Sequence, residues 1–116
     1  MNVEQIREYC LSLPATMETF PFDEVTMVFK VANKMFALMG LEKPDRINLK
    51  CDPERAVELR EEWEEIQPGW HMSKKHWNTV HLNGRLRWEM VKELIDHSYE
   101  LVVKSLRKKD REEYGL

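Results

Sequence analysis

Three consecutive strand-like segments in the first half of the chain constrain its fold more than any other feature of the sequence. Residues 25–31 and 35–39 are rich in β-branched, aromatic and sulfur-containing side chains, and residues 46–51 alternate between apolar and polar. Such alternation is the pattern of a strand with one buried face, which predicts that Ile47 and Leu49 point inwards. Short turn signals separate the segments, so we expect the strands to pair antiparallel.

Helical patterns precede and follow these strands. A helix is predicted within residues 2–14, because Asn2 can cap its start and a proline ends it. The dipeptide Asp52-Pro53 is a strong helix start, with a capping residue followed by proline at the first helical position. The inner stripe of that helix ends at Trp63, which we expect to be buried. A long apolar stripe over residues 87–106 predicts the last helix.

The remaining segments complete a small α+β domain. Residues 66–72 and 77–82 are predicted to be two more strands, and residues 15–24 a loop. The order is therefore α-β(3)-α-β(2)-α, which favours an antiparallel sheet with the helices packed on one face. A chain of 116 residues has the length of one domain, so we expect a single domain over residues 1–116.

Composition indicates an ordinary globular chain rather than a secreted or membrane protein. Hydrophobic residues make up 42% and charged residues 34% of the chain, and no apolar run approaches the ~18 residues of a membrane span. The N-terminus lacks the pattern of a secretory signal. Cys10 and Cys51 do not form a CxxC pair, which suits reduced thiols. We therefore expect a cytoplasmic protein with no membrane partner.

Charge alternates in blocks along the chain although the net charge is only −3. The predicted helices carry an excess of acidic residues and the predicted strand regions an excess of basic ones. If the helices cover one face of the sheet, the basic strand residues should collect on the other face. Those residues are Lys30, Arg46, Lys50 and His81.

Residues 68–80 are the most chemically distinctive stretch, with two tryptophans, two histidines and two lysines in thirteen positions. Lysines that contact phosphates and aromatic rings that stack on bases are what nucleic-acid grooves use. The segment from Lys74 to Trp77 combines both kinds of side chain. The alternative is that Trp70 and Trp77 are core aromatics and that the lysines are ordinary surface residues.

The histidines give little support to a metal centre or an enzyme. His71, His76 and His81 are five residues apart, a spacing that places them on neither one helix face nor one strand face. We therefore predict that the protein holds no metal and no cofactor. The alternative is a metal site to which Cys51 contributes a ligand. There is no nucleophile elbow, phosphate-binding glycine loop or redox pair, so catalysis is not the expected function.

The run Pro68-x-x-His71-Met72-Ser73-Lys74-x-His76-Trp77-Asn78-Thr79-Val80 resembles the signature of the MmcQ/YjbR family. Three further segments agree with that family: Phe20-Pro21-Phe22, Lys34-Met35-Phe36-Ala37-Leu38 and Ser98-Tyr99-x-x-Val102. The resemblance covers nearly the whole chain. It implies a frataxin-like (CyaY-like) arrangement, and it implies DNA binding, since members are commonly described as DNA-binding proteins with a double-wing motif.

Our first functional hypothesis is a DNA-binding protein that contacts phosphates through its basic strand faces and the turn from Trp70 to Trp77. The candidate DNA-binding residues are Lys30, Arg46, Lys50, His71, Lys74, Lys75, His76, Trp77, His81 and Arg85. The alternative is a non-enzymatic module that binds a protein or a small acidic ligand through the same surface. A third possibility is an enzyme that uses His76 as its general base.

Overall fold

The protein folds into a six-stranded antiparallel sheet with helices on one face. The structure is a computed structural model that describes all 116 residues. The elements along the chain are α1 (Val3–Ser12), β1 (Thr16–Thr19), β2 (Thr26–Val31), β3 (Lys34–Gly40), β4 (Arg46–Lys50), α2 (Pro53–Glu62), β5 (Ile66–Pro68), β6 (Trp77–His81), α3 (Trp88–Ser105) and α4 (Lys108–Glu113). The strands lie in the order β1-β2-β3-β4-β6-β5. The predicted α+β class and antiparallel sheet are confirmed.

Local signals in the sequence explain where several elements begin. The Asn2 side chain accepts a hydrogen bond from the Gln5 amide at 2.9 Å and caps α1. Asp52 likewise accepts from the Arg55 amide at 3.2 Å, and α2 starts at the proline that follows. Both carboxylate and amide oxygens satisfy amides that have no partner inside the helix. No helix combines the length and apolar character required to cross a membrane.

Four details differ from the predictions. The strand predicted over residues 66–72 ends at Pro68, and an additional short helix, α4, follows the last predicted helix. Residues Thr16–Thr19, placed in a predicted loop, form the edge strand β1, which pairs with β2. This strand has four residues, too few for an alternation to be recognised. Trp63 is half-buried rather than buried, because it lies at the C-cap of α2 and packs against the core from its margin.

One face of the sheet packs against the helices, whereas the other carries only a small apolar cluster. Between the sheet and the helices lies a core of 21 buried residues, to which α1, α2 and α3 all contribute. The opposite face carries a cluster of three buried residues, Val28, Leu38 and Trp77. Met35 and Met72 pack against this small cluster. We call this second side of the sheet the open face, because no helix covers it.

Candidate functional site

Strand register places the predicted basic strand residues together on the open face. Arg46 lies opposite His81, and Lys50 lies opposite Trp77, in the β4–β6 pair. Lys30 lies opposite Met35 in the β2–β3 pair, on the side away from the large core. Residues opposite one another across two strands share a face. The four residues expected there, which include His81, therefore do share the open face.

The connection between β5 and β6, residues 69–76, folds back over the open face, and we call it the tryptophan loop. The Gly69 amide donates to the Trp77 carbonyl at 2.8 Å, so the two ends of the loop are held together. A Cβ at Gly69 would lie 2.7 Å from the Trp77 Cβ, which only glycine avoids. His71 has a φ of +61°, and this left-handed turn separates exposed Trp70 from the half-buried Met72.

Three hydrogen bonds fix the backbone of Trp70 to the sheet. Its amide donates to Thr79 Oγ1 at 2.9 Å, and that hydroxyl donates to Asn48 Oδ1 at 2.5 Å. Asn48 Nδ2 in turn donates to the Trp70 carbonyl at 3.3 Å. Since Thr79 and Asn48 lie on the neighbouring strands β6 and β4, the backbone of Trp70 is held at a set position above the sheet.

The indole of Trp70 is accessible and is surrounded by cationic side chains. The residue is 47% exposed. Lys43 Nζ lies 4.7 Å and Arg46 Cζ 5.8 Å from the centre of the ring, within the range of cation–π attraction. The imidazole of His71 stacks on the indole at 4.8 Å with an interplanar angle of 25°. An accessible ring among cations suits a planar, electron-rich or anionic ligand.

A cavity of about 560 Å³ opens beside this ring. Its walls include Phe22, which is 62% exposed, and its floor includes Leu38 of β3. Two carboxylates, Asp23 and Glu42, line the same space. The Asp23 carboxylate already accepts hydrogen bonds from the Val25 and Thr26 amides, which lower its pKa. The cavity therefore presents both signs of charge.

Arg60 of α2 holds the end of the tryptophan loop, a role that sequence reasoning missed. Its Nε donates to Asn78 Oδ1 at 2.6 Å, and its Nη2 donates to the backbone carbonyls of Lys74 and Trp77. An arginine can span several carbonyl groups because its guanidinium carries five donors in one plane. Arg60 belongs to an acidic helix, where its sequence context indicated only a solvated side chain.

The lysines of this region differ in their availability. Lys30, Lys50 and Lys75 form no ion pair, so their charges are available to an anion. Lys74 donates to the Gly69 carbonyl at 3.1 Å and helps to close the tryptophan loop. The Cys51 amide donates to the His76 carbonyl at 2.8 Å, so this end of the loop adjoins the end of β4 near Lys50.

Two residues of the predicted DNA-binding set, Trp77 and Arg85, do not join the accessible surface around Trp70. Trp77 is only 8% exposed and belongs to the small cluster of the open face, so its ring is not accessible for stacking. Arg85 pairs with Glu65 at 3.2 Å and lies over Trp63, at the margin of the helix-covered core. Hydrogen bonds from Arg85 lower the pKa of the Glu65 carboxyl to about 2. The Arg85 charge is thus matched locally, away from the tryptophan loop.

Two observations bear on acid–base chemistry and metal ligation at the predicted histidines. No hydrogen bond involves the exposed imidazole of His76. No three side chains of the His, Cys, Asp and Glu types are grouped as a metal ion requires. The residues that sequence reasoning missed, besides Arg60, are Phe22, Lys43, Asn48 and Thr79. Phe22 was quoted only as part of a family motif.

Comparisons with known proteins agree on one family. A family model described as YjbR matches residues 11–101. The chain is 35% identical to the uncharacterized protein YbdF of Escherichia coli O157:H7 over 93% of this chain and 89% of that protein. It is 30% identical to the uncharacterized protein YjbR of Escherichia coli K12, over 96% of this chain and 95% of that protein.

Solved structures show the same fold. The crystal structure of Deinococcus radiodurans protein DR2400, which carries a domain of the DUF419 family model, superposes with a TM-score of 0.92 at 45% identity. That match covers 98% of this chain and 88% of the other. A Pseudomonas syringae protein superposes with a TM-score of 0.73 at 32% identity, over 87% of this chain and 98% of that one.

Proposed function

The chain belongs to the YjbR family, and we propose that it binds DNA through its open face. In this proposal unpaired lysines contact phosphates, and the tryptophan loop contacts an unstacked part of the strand. The single observation that carries the proposal is an accessible, rigidly held Trp70, flanked by Lys43 and Arg46, on the same face as unpaired lysines. Surfaces that bind single strands usually combine aromatic side chains, on which bases stack, with basic side chains that contact the phosphates.

The register of the sheet brings two basic projections to one end of the open face. The β2–β3 turn at Ala32 and Asn33 has φ values of 47° and 69°, as in tight hairpin turns, and Lys30 lies next to it. The tryptophan loop ends beside Lys50 at the same end of the sheet. The turn and the loop are the two elements that would serve as the paired wings of a double-wing DNA-binding protein.

Phosphate contacts, rather than groove reading by a helix, follow from the distribution of charge. The helices pack on the other face of the sheet, and α2 carries mainly acidic residues. The helices α1, α2 and α3 are therefore not placed to present basic side chains to a major groove, and the exposed α4 has only six residues, three basic and three acidic. With the unpaired Lys30, Lys50 and Lys75, and with Arg46, whose ion pair with Asp45 a phosphate would have to replace, about three or four phosphates would be neutralised. We expect weak binding with little sequence preference.

The proposal is tested by titrating the protein with a fluorescent single strand and with a duplex at salt concentrations from about 50 to 200 mM. For three or four contacts, the slope of log K against log salt on the single strand is expected near −2 to −3. The triple variant Lys30→Ala, Lys50→Ala, Lys75→Ala should reduce the magnitude of that slope by about 2.

A matched control removes the same number of charges from the helices. The triple variant Lys92→Ala, Lys104→Ala, Lys109→Ala changes residues of α3 and α4, so its slope should equal that of the unmodified protein. Equal loss of binding in both triple variants would mean that net charge alone governs the interaction. Absence of binding to both DNA forms at about 50 mM salt would reject the proposal.

One observation favours a second candidate, a small planar ligand bound without any nucleic acid. The cavity volume of about 560 Å³ lies within the roughly 300–1,000 Å³ of small-molecule sites. Asp23 and Glu42 in its wall would repel a polyanion but not a small ligand with its own donor groups. This candidate requires that Trp70→Ala abolish ligand binding while the Lys30, Lys50, Lys75 triple variant binds the ligand normally.

A further inference from the structure

We infer, as an extension that rests on the proposed function, that the cavity beside Trp70 receives one unpaired nucleobase of a bound strand while the phosphates stay outside it. The inference assigns separate tasks to two parts of the open face. The lysines near the β2–β3 turn contact the backbone of the strand. The cavity at the opposite end of the β4 strand, next to Arg46, contacts a base.

Aromatic exposure is concentrated at this cavity. Four aromatic side chains of the protein are exposed: Phe20, Phe22, Trp70 and Tyr114. Two of the four, Phe22 and Trp70, line the same space although 48 positions separate them in the chain. Exposed apolar side chains that are grouped, unlike ones scattered singly, mark interaction sites. Two rings that border one cavity offer stacking surfaces for a flat heterocycle.

The charge of the cavity wall distinguishes a base from a phosphate as the occupant. Arg46 already pairs with Asp45 at 3.1 Å, and Glu42 and Asp23 line the cavity together with Lys43, so an anion placed inside would meet two carboxylates. A base is uncharged and carries N–H donors, which a carboxylate can accept. Glu42 forms no ion pair and remains available as such an acceptor.

Lys43 lies where it could contact both the bound base and the phosphates of the same nucleotide. Its ammonium now lies 4.7 Å from the centre of the indole, on an exposed and flexible side chain. A base that stacks on the indole would displace this ammonium to the rim, where the phosphates of the same nucleotide lie. The indole itself need not move, because the bonds to Thr79 and Asn48 already fix its backbone.

A base inside the cavity requires that it be unpaired. In a duplex the bases are stacked and paired, so the extrusion of one base carries a free-energy cost. Single strands, mismatches and ends supply a free base without that cost. The inference therefore predicts that a single strand binds more tightly than a duplex of the same length, at any salt concentration that permits binding.

The decisive experiment compares two single strands of equal length and equal charge, one of thymidine nucleotides and one whose residues all lack the base. Stacking of a base on an aromatic side chain is worth about 1–3 kcal/mol, so the abasic strand should bind about 5- to 150-fold more weakly. Trp70→Ala should weaken binding of the thymidine strand by a similar factor and leave the abasic strand unchanged. Trp70→Phe should retain most of the affinity.

Tyr114→Ala is the matched control, because it removes another exposed aromatic ring that does not line the cavity. Its affinity for both strands should equal that of the unmodified protein, and circular dichroism should show that every variant is folded. Abasic and thymidine strands that bind equally would overturn the base site and leave the phosphate contacts intact. Failure of both strands to bind at about 50 mM salt would overturn the base site together with the proposed function.

Discussion

The two faces of the sheet are built from the same alternating strands but are stabilised in different ways. On the helix-covered face, 21 buried residues form one core, and Phe29, Phe36 and Ile47 lie fully buried in it. On the open face the buried apolar residues are Val28, Leu38 and Trp77, and the tryptophan loop contributes Met72 to their cover. One face is held by apolar packing, and the other by a loop that polar contacts fix in place. The second arrangement leaves room for a cavity and accessible charges.

The largest expected effect comes from a pair of leucines on opposite faces of adjacent strands. Leu49→Ala removes a side chain that is 2% exposed in the large core, and should cost about 3–5 kcal/mol of unfolding free energy. Leu38→Ala, 7% exposed in the small cluster, should cost about 2 kcal/mol because the loop can settle into the space. Urea denaturation measures both. A larger loss for Leu38→Ala would contradict the ranking of the two faces.

Gly69→Ala tests whether close backbone approach holds the tryptophan loop. The new Cβ would meet the Trp77 Cβ at 2.7 Å and the Trp77 carbonyl oxygen at 2.9 Å, so the loop must shift. We expect a loss of about 1–3 kcal/mol in unfolding free energy. Gly40→Ala is the control, since the nearest atom to its new Cβ lies 4.0 Å away. Equal stability of the two variants would show that the loop tolerates displacement.

Arg60→Ala tests the polar fixation of the same loop from the helix side. The substitution leaves Oδ1 of buried Asn78 and the Lys74 carbonyl without their donor, while the Trp77 carbonyl keeps the Gly69 amide, and the loss should be about 1–3 kcal/mol. Arg55→Ala is matched in position on α2, but its partner Glu93 is exposed, so the expected cost is about 0–1 kcal/mol. Chemical denaturation compares them, and similar losses would assign Arg60 to ordinary surface pairing.

The smallest expected effect is a pH dependence on the helix-covered side. His97 Nε2 accepts a hydrogen bond from the Asp52 amide at 3.2 Å, and burial lowers the pKa of this imidazole. A lowered pKa means that the unfolded chain takes up a proton more readily, so this contribution is complete above about pH 6.5. It should decline as the pH falls through that value towards the lower pKa of the folded state.

The contribution of His97 is measured by comparing the unfolding free energy at pH 8 with that at pH 5.5. The decrease between them should be smaller in His97→Gln than in the unmodified protein, because the variant has no imidazole to protonate. An identical decrease in the two proteins would remove His97 from the explanation.

Sequence reasoning reached the helix-covered face more completely than the open face, and the reason is physical. Alternation in residues 46–51 reports which side chains are buried, and burial is what the core face requires. The same alternation places Arg46 and Lys50 outside. The alternation could not show that Trp77 is buried and Trp70 exposed. Both rings lie outside the large core, and only the path of residues 69–76 decides which of them is covered.

The contacts of the candidate site join segments that are remote in sequence. Phe22 and Lys43 approach the tryptophan loop only because β3 and β4 lie next to each other in the sheet. Asn48 and Thr79 were assigned to strands, but the hydrogen bonds from their side chains depend on the β4–β6 register. A local pattern carries no signal for such contacts, whereas it does report an N-cap such as Asp52.

The shortest strands of the sheet are the two at its edges, β1 with four residues and β5 with three. The last residue of β5 is Pro68, which has no amide hydrogen to donate. Short edges and a proline discourage the addition of a strand from another chain. This geometry protects the protein from edge-to-edge aggregation in a crowded cell. It also leaves the broad open face of the sheet, rather than its rim, as the surface available for contacts.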